Sequence, residues 1–555
     1  MTVIPQTRLQ VMWNRLLAVV EEQGQALIRA AFSPIVRESG DISAGIFDVR
    51  GRMLAQAVTG TPGHINTMAE AVKNLMARFP TQEMLPGDIY MTNDPWLASG
   101  HLNDFLLMQP VFFKDRVVGF TSCTSHLADL GGLGMGPDGS DVFDEGLMVP
   151  PCKLVDQGEL NAFLMEIVRV NSREPIANEG DIYALIACCE TGAARLAGMM
   201  AEFGLDDLDP LADYIIDTSR RGTIEAIAEV PKGVYRSELQ VDGYDAPIML
   251  KATLTVAEDH ILLDYDGTSP CSPKGINVPL NYATAYSVFA LRCIIGSDIP
   301  NNAGSLEPFC VTGPKGCILN AQPPVPVAMR HSIGQMTPDL VYGCLSQALP
   351  DRVPAEGASC LYDVPLRHTP EAARDGGTSF ALELVFNGGT GARPDKDGLS
   401  ATAFPSGVWG SQVEPTEAVA PILITRRELR TDSGGVGQYQ GGHGQHIQIA
   451  SATDADFLAF LSVERVTFAA AGRHGGGAGA KGRIRVGHDG PDLGSKGTIR
   501  VPADKPLILE TPGGGGFGPA AQRDASRVAR DLTEGLISED TARTHYAAQL
   551  KDGKP

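Results

Sequence analysis

The sequence predicts a mixed α/β protein of the α+β type, in which several mixed sheets are covered by long helices and the chain forms more than one domain. Three observations predict this fold class. The chain has 555 residues, which at about 150 residues per domain is enough for three to four units. Long segments with apolar residues at helical spacing alternate with short apolar runs that end at turn residues. The 63 glycines and 38 prolines make up about 18% of the chain against a usual ~12%, which indicates many tight turns.

The first 130 residues contain two helical patterns and several short strand patterns. Apolar residues recur at helical spacing through residues 6–31, which predicts an amphipathic helix. The run ESGDISAGIFDVRGRMLAQ alternates apolar and polar residues around Gly51, which predicts a hairpin. Residues 64–79 return to a helical pattern, and Pro80 ends it. The runs FLLMQPVFF and VVGFTSC then predict two buried strands.

In the rest of the chain, the predicted secondary structure changes at intervals that suggest domain boundaries. Residues 131–152 are a polar loop, residues 176–230 are mostly helical, and residues 233–268 are predicted strands. The segments YATAYSVFALRCIIG and DLVYGCLSQAL are predicted helices. We therefore expect an N-terminal domain over 1–230 that holds the candidate site, a central α/β region over 231–370, a glycine-rich β region over 371–520 and a helical tail over 521–555.

The composition argues against several classes of protein. The 45 basic and 66 acidic residues give a formal net charge of −21, which opposes binding to nucleic acid or to an anionic membrane. The ten cysteines include no CxxC pair, so we expect buried, reduced thiols. The first residues lack the pattern of a signal peptide, and no run approaches the roughly 18 apolar residues of a membrane span. We therefore expect a cytoplasmic protein.

The strongest chemical signal lies between residues 93 and 130, in the runs NDPWLASGHLNDF and TSCTSHLADLGG. Two HxxD units stand 25 residues apart, His101 with Asp104 and His126 with Asp129. Imidazole nitrogens and carboxylate oxygens are the usual ligands of Zn, Mn and Fe. The flanking apolar runs indicate strands, which would bring both units to one edge of a sheet. The alternative interpretation is turn chemistry, because Asn-Asp-Pro and Asp-Leu-Gly are also good turn formers.

Other polar residues give weaker signals. Glu38 and Asp41 in RESGDIS could supply a catalytic carboxylate or simply cap a turn, and His64 alone is more typical of a packed histidine. The acidic loop over 138–145 is more typical of a solvated surface. The tracts GRHGGGAGAKG and TPGGGGFG favour tight backbone packing, because neither matches a phosphate-binding motif. The sequence therefore predicts no nucleotide site of its own.

An ordered set of short motifs resembles the B subunit of the ATP-dependent hydantoinase/oxoprolinase family. This family includes N-methylhydantoin and oxoproline hydrolases, caprolactamase and the metal-bearing α subunit of acetone carboxylase. The matching motifs span roughly residues 8–520 and are RESGDIS…FD, GHINTM, NDPW…GHLND, SHLADLGG, DEGLMVPPCKL, GINVPLN, IPNNAGSLEP, RTDSGGVGQYQGGHG and TPGGGGFG.

The resemblance implies a partner, cofactors and a ligand set. Such proteins work with an A subunit that binds ATP and Mg in an actin-like fold, commonly as an (αβ)2 heterotetramer. The positions that match the metal ligands of acetone carboxylase-like relatives are His101, Asp104 and His126, with Mn, Zn or Fe as the ion. On this interpretation Asp129 is a fourth ligand or orients a ligand histidine, and Asp41 or Glu38 is the general base.

The function that the resemblance implies is ring opening of a small cyclic amide such as a hydantoin, oxoproline or lactam. ATP would phosphorylate the amide oxygen and so overcome the resonance of the amide, while the metal would polarise the carbonyl or activate water. Two alternatives remain open. One is a carboxylase-type α subunit that joins activated bicarbonate to a ketone, and the other is a non-catalytic scaffold for the A subunit.

Overall fold

The structure is a computed structural model that describes residues 4–58, 61–374 and 379–547. Its helices and strands form three regions around four sheets, so the expected mixed α/β, multi-domain class is confirmed. Only the second sheet is mixed, because it holds the one parallel pair among the described strand pairs. All ten cysteines are free thiols.

The N-terminal region (residues 4–230) is built on a seven-stranded antiparallel sheet. Its strand order is β2-β1-β5-β4-β3-β6-β7. Its helices are α1 (Gln6–Ala30), α2 (Pro34–Arg37), α3 (Pro62–Arg78), α4 (Ala162–Asn171), α5 (Pro175–Phe203) and α6 (Asp209–Ala228). Its strands are β1 (Ile42–Asp48), β2 (Met53–Gln56), β3 (Ile89–Thr92), β4 (Asp104–Phe113), β5 (Arg116–His126), β6 (Cys152–Asp156) and β7 (Glu159–Leu160).

Helices cover both faces of this sheet, which explains why its central strands are buried along most of their length. Phe105 and Leu107 of β4 pack with α1 and α5, whereas Leu106 and Met108 pack with α3 on the other face. The predicted helices at 6–31 and 64–79 and the hairpin around Gly51 are confirmed within one to two residues at most ends. Helix α5 is long and apolar enough to cross a membrane, but it packs against α1, β4 and β5 as a core helix does.

The central region (residues 231–361) packs helices on one face of a four-stranded sheet of order β11-β10-β9-β8. Alternate residues of β9 are buried, so one face contacts the helices and the other is open. The strands are β8 (Gly233–Val241), β9 (Ile248–Val256), β10 (Ile261–Asp264) and β11 (Phe309–Thr312). The helices are α7 (Leu280–Ile294), α8 (Ala303–Leu306), α9 (Arg330–Gly334) and α10 (Thr337–Ala348).

The C-terminal region (residues 362–547) packs two antiparallel sheets of order β13-β12-β16-β18 and β14-β15-β19-β17 around one core. Its first strand begins at Tyr362, before the boundary expected near residue 370. The strands are β12 (Tyr362–His368), β13 (Ala381–Phe386), β14 (Ile422–Leu429), β15 (Gln445–Ser451), β16 (Phe457–Ser462), β17 (Arg483–Val486), β18 (Lys496–Val501) and β19 (Leu507–Glu510). The helices are α11 (Pro370–Arg374), α12 (Val413–Val419), α13 (Ala525–Thr533) and α14 (Glu539–His545), so the expected tail helix is two short helices.

Glycine tracts of the C-terminal region pack backbone against backbone. A Cβ atom at Gly389 would collide with the carbonyl of Gly442, and one at Gly514 would collide with the carbonyl of Thr390. Backbone hydrogen bonds join the same segments, for example Gly442 N–H to the Thr390 carbonyl oxygen at 2.9 Å. These glycines therefore serve close packing, because no other residue leaves the space, and Gly514 belongs to the tract TPGGGGFG for which the sequence predicted it.

Candidate functional site

The β4–β5 hairpin brings His101 and Asp104 of the first HxxD unit and His126 of the second together at one end of two central strands of the N-terminal sheet. Asp104 begins β4 and His126 ends β5, and the two residues are register partners. His101 lies in the turn before β4. Its Nε2 lies 2.8 Å from Asp104 Oδ1, and His126 Nδ1 lies 3.3 Å from the same oxygen. All three side chains are buried, so the hairpin places two imidazoles around one carboxylate oxygen.

His101 is held in the tautomer that binds a metal through Nε2. Its Nδ1 lies 3.0 Å from the carbonyl oxygen of Ala328, to which only a protonated Nδ1 can donate. Burial and the neighbouring charge of Arg330 lower the pKa of His101 to about 4. At neutral pH the ring is therefore neutral, with the lone pair of Nε2 free for a ligand.

The atoms of this cluster lack the hydrogen bonds that buried polar atoms normally have. His101 Nε2, Asp104 Oδ1 and His126 Nε2 make no hydrogen bond with any described residue, although each has a neighbour within 3 Å. One nitrogen or oxygen of each of the three residues lies within 4.8 Å of the others. A cation between the three residues could take one ligand atom from each, and two imidazoles with a carboxylate suit a divalent transition metal. These residues therefore fit the metal that the sequence predicted.

The second oxygen of Asp104 binds groups from two other elements. Asp104 Oδ2 lies 2.9 Å from His64 Nε2 of α3 and accepts a hydrogen bond of 2.5 Å from the Arg330 guanidinium of α9. Burial alone would raise the pKa of Asp104, but His101, His64 and Arg330 outweigh it and hold that pKa well below its usual range. The guanidinium of Arg330 also stacks on the ring of Tyr282 at 4.2 Å. Asp104 is therefore a fixed carboxylate.

The C-terminal region contributes two acids to the opposite wall. Glu383 of β13 places Oε2 2.9 Å from His126 Nε2. Asp363 of β12 is a diagonal neighbour of Glu383 on the same face of the sheet. Burial and the charge of Glu383 raise the pKa of Asp363 well above its usual range. His331 Nε2 of α9 lies 3.8 Å from Asp363 Oδ2, and burial and Arg330 lower the pKa of His331. The site therefore combines side chains from all three regions.

Asp41 is the one proposed catalytic carboxylate that lies in this cluster. It precedes β1, and its Oδ1 lies 3.4 Å from His64 Nδ1. Burial raises the pKa of Asp41 from its ordinary value. Its Oδ1 makes no hydrogen bond with the residues that the structure describes.

The structure places the other two proposed catalytic carboxylates away from the cluster. Glu38 pairs with the neighbouring Arg37 at 2.8 Å and is partly exposed. The carboxylate of Asp129 accepts hydrogen bonds from the guanidinium and the backbone N–H of Arg173, at 2.5 and 2.6 Å. Arg173 therefore occupies the oxygens that a fourth ligand would need, and Asp129 fixes the turn that leads into α5.

The cluster surrounds a cavity of about 30 Å³, which is room for an ion with one or two water molecules. The acidic and basic side chains that line it come from segments more than 300 residues apart in the chain. They are Asp41, His64, His101, His126, Arg330, His331, Asp363 and Glu383.

Sequence reasoning missed Arg330, His331, Asp363 and Glu383 and gave His64 no role. None of them stands in a spaced motif with another, because tertiary packing alone brings their elements together. One signal was available in the sequence, since Arg330 and His331 stand next to each other in the mostly apolar run VPVAMRHSIG. A histidine that directly follows a buried arginine in an apolar segment is unusual enough to mark a site.

Comparisons with known proteins agree with this architecture. The family model described as Hydantoinase B/oxoprolinase matches residues 6–520. The B-type subunit of a putative D-/L-hydantoinase from Pseudomonas sp. (strain NS671) is 28% identical and is matched over 98% of this chain and 95% of its own. The crystal structure of ATP-dependent caprolactamase from Pseudomonas jessenii has a TM-score of 0.90 at 26% identity, over 100% of this chain and 98% of that chain. A nucleotide-free structure of acetone carboxylase has a TM-score of 0.85 over 97% and 79% of the two chains, and at 19% identity it shows a shared fold.

Proposed function

The chain belongs to the hydantoinase B/oxoprolinase family, and on that premise we propose that it is the metal-bearing catalytic subunit of an ATP-dependent cyclic amide hydrolase. The observation that carries the proposal is the buried cluster of His101, Asp104 and His126, in which one possible ligand atom of each residue lies within 4.8 Å of the others and His101 Nε2 and Asp104 Oδ1 make no hydrogen bond with the described residues. A structural role would leave such atoms hydrogen-bonded.

The proposed assembly pairs this chain with an A subunit that binds ATP and Mg. The hydantoinase relative from Pseudomonas is named as one subunit of its enzyme, which supports the existence of a partner. The sequence holds no phosphate-binding motif, so the phosphoryl donor would bind to the partner. We expect an A subunit with an actin-like fold, an (αβ)2 assembly and a cytoplasmic location.

The proposed metal ligands are His101, Asp104 and His126, with Mn, Zn or Fe as the ion. A divalent metal supplies Lewis acidity toward a carbonyl oxygen. Arg330 holds Asp104 through its second oxygen, which fixes the orientation of the carboxylate. The Ala328 carbonyl fixes the tautomer of His101 in the same way.

The proposed general base is Asp41, whose carboxylate lies beside His64. Asp41 Oδ1 lines the cavity without a hydrogen bond among the described residues, so it can accept a proton from a water molecule in that cavity. His64 lies between Asp41 and Asp104 and orients both through its two nitrogens. On the opposite wall, burial and Glu383 raise the pKa of Asp363, which favours its protonated form, and from that form it can donate to the nitrogen that leaves when the ring opens.

The test uses the chain co-expressed with its A subunit. The proposal predicts ATP hydrolysis that depends on a cyclic amide, such as hydantoin or ε-caprolactam, with release of the ring-opened product. Asp41→Asn is expected to lower kcat about 100-fold or more without loss of metal. His260→Ala, at an exposed position in the central region, is the matched control for a histidine change and is expected to leave activity unchanged.

Three results would contradict the proposal. Retention of labelled bicarbonate in a new carbon–carbon bond, with no ring opening, would make the chain a carboxylase-type subunit. A chain that holds no metal and whose Asp41→Asn and His126→Ala variants keep full activity would be a scaffold. ADP release that does not depend on any cyclic amide would also refute the assignment.

A further inference from the structure

A cleft of about 890 Å³ adjoins the small cavity that the cluster surrounds. Ser406 lines both spaces. Two pairs of consecutive residues also separate the two spaces. Gly40 lines the cleft and Asp41 lines the cavity, and likewise Pro62 lines the cleft and Thr61 lines the cavity. The volume lies within the range of about 300–1,000 Å³ that is typical of small-molecule sites. The cleft is therefore placed to hold a ligand beside the acid and histidine side chains.

The walls of the cleft are mostly apolar and aromatic. Phe289 of α7 and Phe404 pack together with their ring centres 5.8 Å apart and their planes tilted by 48°, and Trp409 lies at the rim with 63% of its surface exposed. Ile65 of α3 and Ile299 complete the apolar surface. An unsubstituted five-membered ring would leave most of this apolar surface exposed to water, so the cleft suits a ligand that carries an apolar group of its own.

The polar part of the lining is dominated by neutral amides. Asn301 Nδ2 donates to Gln56 Oε1 at 2.6 Å and to Asn66 Oδ1 at 3.0 Å, while Asn66 donates to the Ala285 carbonyl. Carboxamides carry both donors and acceptors, and the amide edge of a lactam or hydantoin presents the same pair of groups.

The cleft offers no free cation to a carboxylate. Arg292 is the one basic side chain among the described residues of the lining; both of its terminal nitrogens donate to the carbonyls of Gly296 and Ile299, and its unpaired Nε is buried. The lining also contains the acidic, exposed Asp298. A ring with its own carboxylate, such as 5-oxoproline, would have to be desolvated beside an acid and without an ion-pair partner, which is unfavourable.

We propose that this cleft binds the substrate, and that the substrate is an uncharged cyclic amide with a bulky apolar substituent. This inference rests on the proposed function, since it takes the ring to be the reacting group. The amide edge contacts the carboxamides of Gln56, Asn66 and Asn301. The substituent packs against Phe289, Phe404 and Trp409, and the ring faces the cavity at Ser406.

The direct test measures binding of four rings to the full chain without ATP, by titration calorimetry. We expect 5-benzylhydantoin to bind about tenfold or more tightly than hydantoin, because an aromatic group is then buried. The affinity for ε-caprolactam should be close to that for hydantoin, and 5-oxoproline should bind most weakly. A ranking in which 5-oxoproline or hydantoin equals 5-benzylhydantoin, or in which none of the rings binds, would overturn the proposal.

Three variants assign the binding to this cleft. Trp409→Ala removes an exposed side chain at the rim of the cleft and should weaken the binding of 5-benzylhydantoin more than that of hydantoin. Ala403→Trp fills the cleft and should weaken all four rings. Ser297→Lys adds a cation at an exposed position of the lining and should strengthen 5-oxoproline alone. Unchanged affinities in all three variants would show that the rings bind elsewhere.

The ATP assay separates failure of this inference from failure of the proposed function. In the complex with the A subunit, Trp409→Ala and Ala403→Trp should raise KM for 5-benzylhydantoin, Ser297→Lys should lower KM for 5-oxoproline alone, and all three should leave kcat and metal content close to those of the unmodified chain. Ring-dependent ATP hydrolysis with unchanged KM in every variant would refute the cleft and leave the proposed hydrolase intact. Absence of ring-dependent hydrolysis in the unmodified complex would instead refute the proposed function.

Discussion

Glu145 carries a prediction in which stability depends strongly on pH. It follows the short 3₁₀ turn Val142–Asp144, and its Oε1 accepts hydrogen bonds from the backbone N–H groups of Val327 and Ala328, at 2.6 and 2.7 Å. Burial raises the pKa of Glu145 to about 8, and the charge of nearby acids adds to the effect. The side chain therefore holds a proton at neutral pH, although the sequence suggested a solvated acidic loop.

The sign and size of the effect follow from linkage. In the unfolded chain Glu145 loses its proton near the ordinary pKa of 4.5, whereas in the folded chain it keeps the proton up to about pH 8. Its contribution to stability is fully present below about pH 4.5 and is lost as the pH rises to about 8. The gap between the two pKa values corresponds to about 5 kcal/mol. Glu145→Gln keeps the accepting oxygen and cannot titrate, so it removes this dependence.

Equilibrium urea unfolding at several pH values between 5 and 8.5 measures the effect. The free energy of unfolding of Glu145→Gln, relative to that of the unmodified chain, should rise by several kcal/mol over this range. All other titrating groups are common to the two proteins and cancel in the difference. Glu159→Gln, the same change at an exposed strand end, is the matched control and should give a flat difference. Parallel profiles for Glu145→Gln and the unmodified chain would refute the reasoning.

Three further predictions test the site and the fold. Asp129→Asn should lower the free energy of unfolding by about 1–3 kcal/mol, because it weakens a buried charged hydrogen bond, and should leave metal content unchanged; loss of metal would restore it as a ligand. Gly389→Ala should prevent stable folding, as soluble yield and thermal unfolding would show, because its Cβ collides with backbone, whereas Gly494→Ala, in open space, should be neutral; equal stability of the two variants would contradict the packing. Glu383→Gln should weaken metal affinity by about 10–100-fold in a chelator competition, since it removes the charge beside His126; an unchanged affinity would exclude Glu383 from the metal environment.

Local patterns were sufficient to predict the part of the site that lies on one hairpin. The two-residue turn of Lys114 and Asp115 sets Phe113 opposite Arg116, and a register irregularity between Val111 and Phe112 then shifts the pairing by one residue, so that Asp104 lies opposite His126. The φ angles of the turn residues are 50° and 61°, which matches the tight hairpin turns that join antiparallel strands. Sequence spacing therefore predicted that the two residues lie at the same end of the hairpin, whereas the register irregularity sets their direct pairing.

The opposite wall of the site could not be predicted in this way. Glu383 and Asp363 reach the cavity only because the C-terminal region packs against the N-terminal sheet, and no local periodicity encodes that contact. Asp129 illustrates the converse case. Its spacing repeats that of Asp104, but Arg173 lies close enough to bind its carboxylate first. Sequence spacing predicts the backbone position of a residue, whereas the partners of its side chain depend on the whole fold.

The metal content of the chain, purified with its A subunit and without added metal, tests the central claim most directly. We predict about one divalent transition metal ion per chain in the unmodified protein, and loss of that ion in His101→Ala while His260→Ala retains it. Circular dichroism would establish that His101→Ala is folded. A folded, unmodified complex without metal, or a His101→Ala variant that binds the ion as tightly as the unmodified chain, would contradict the account.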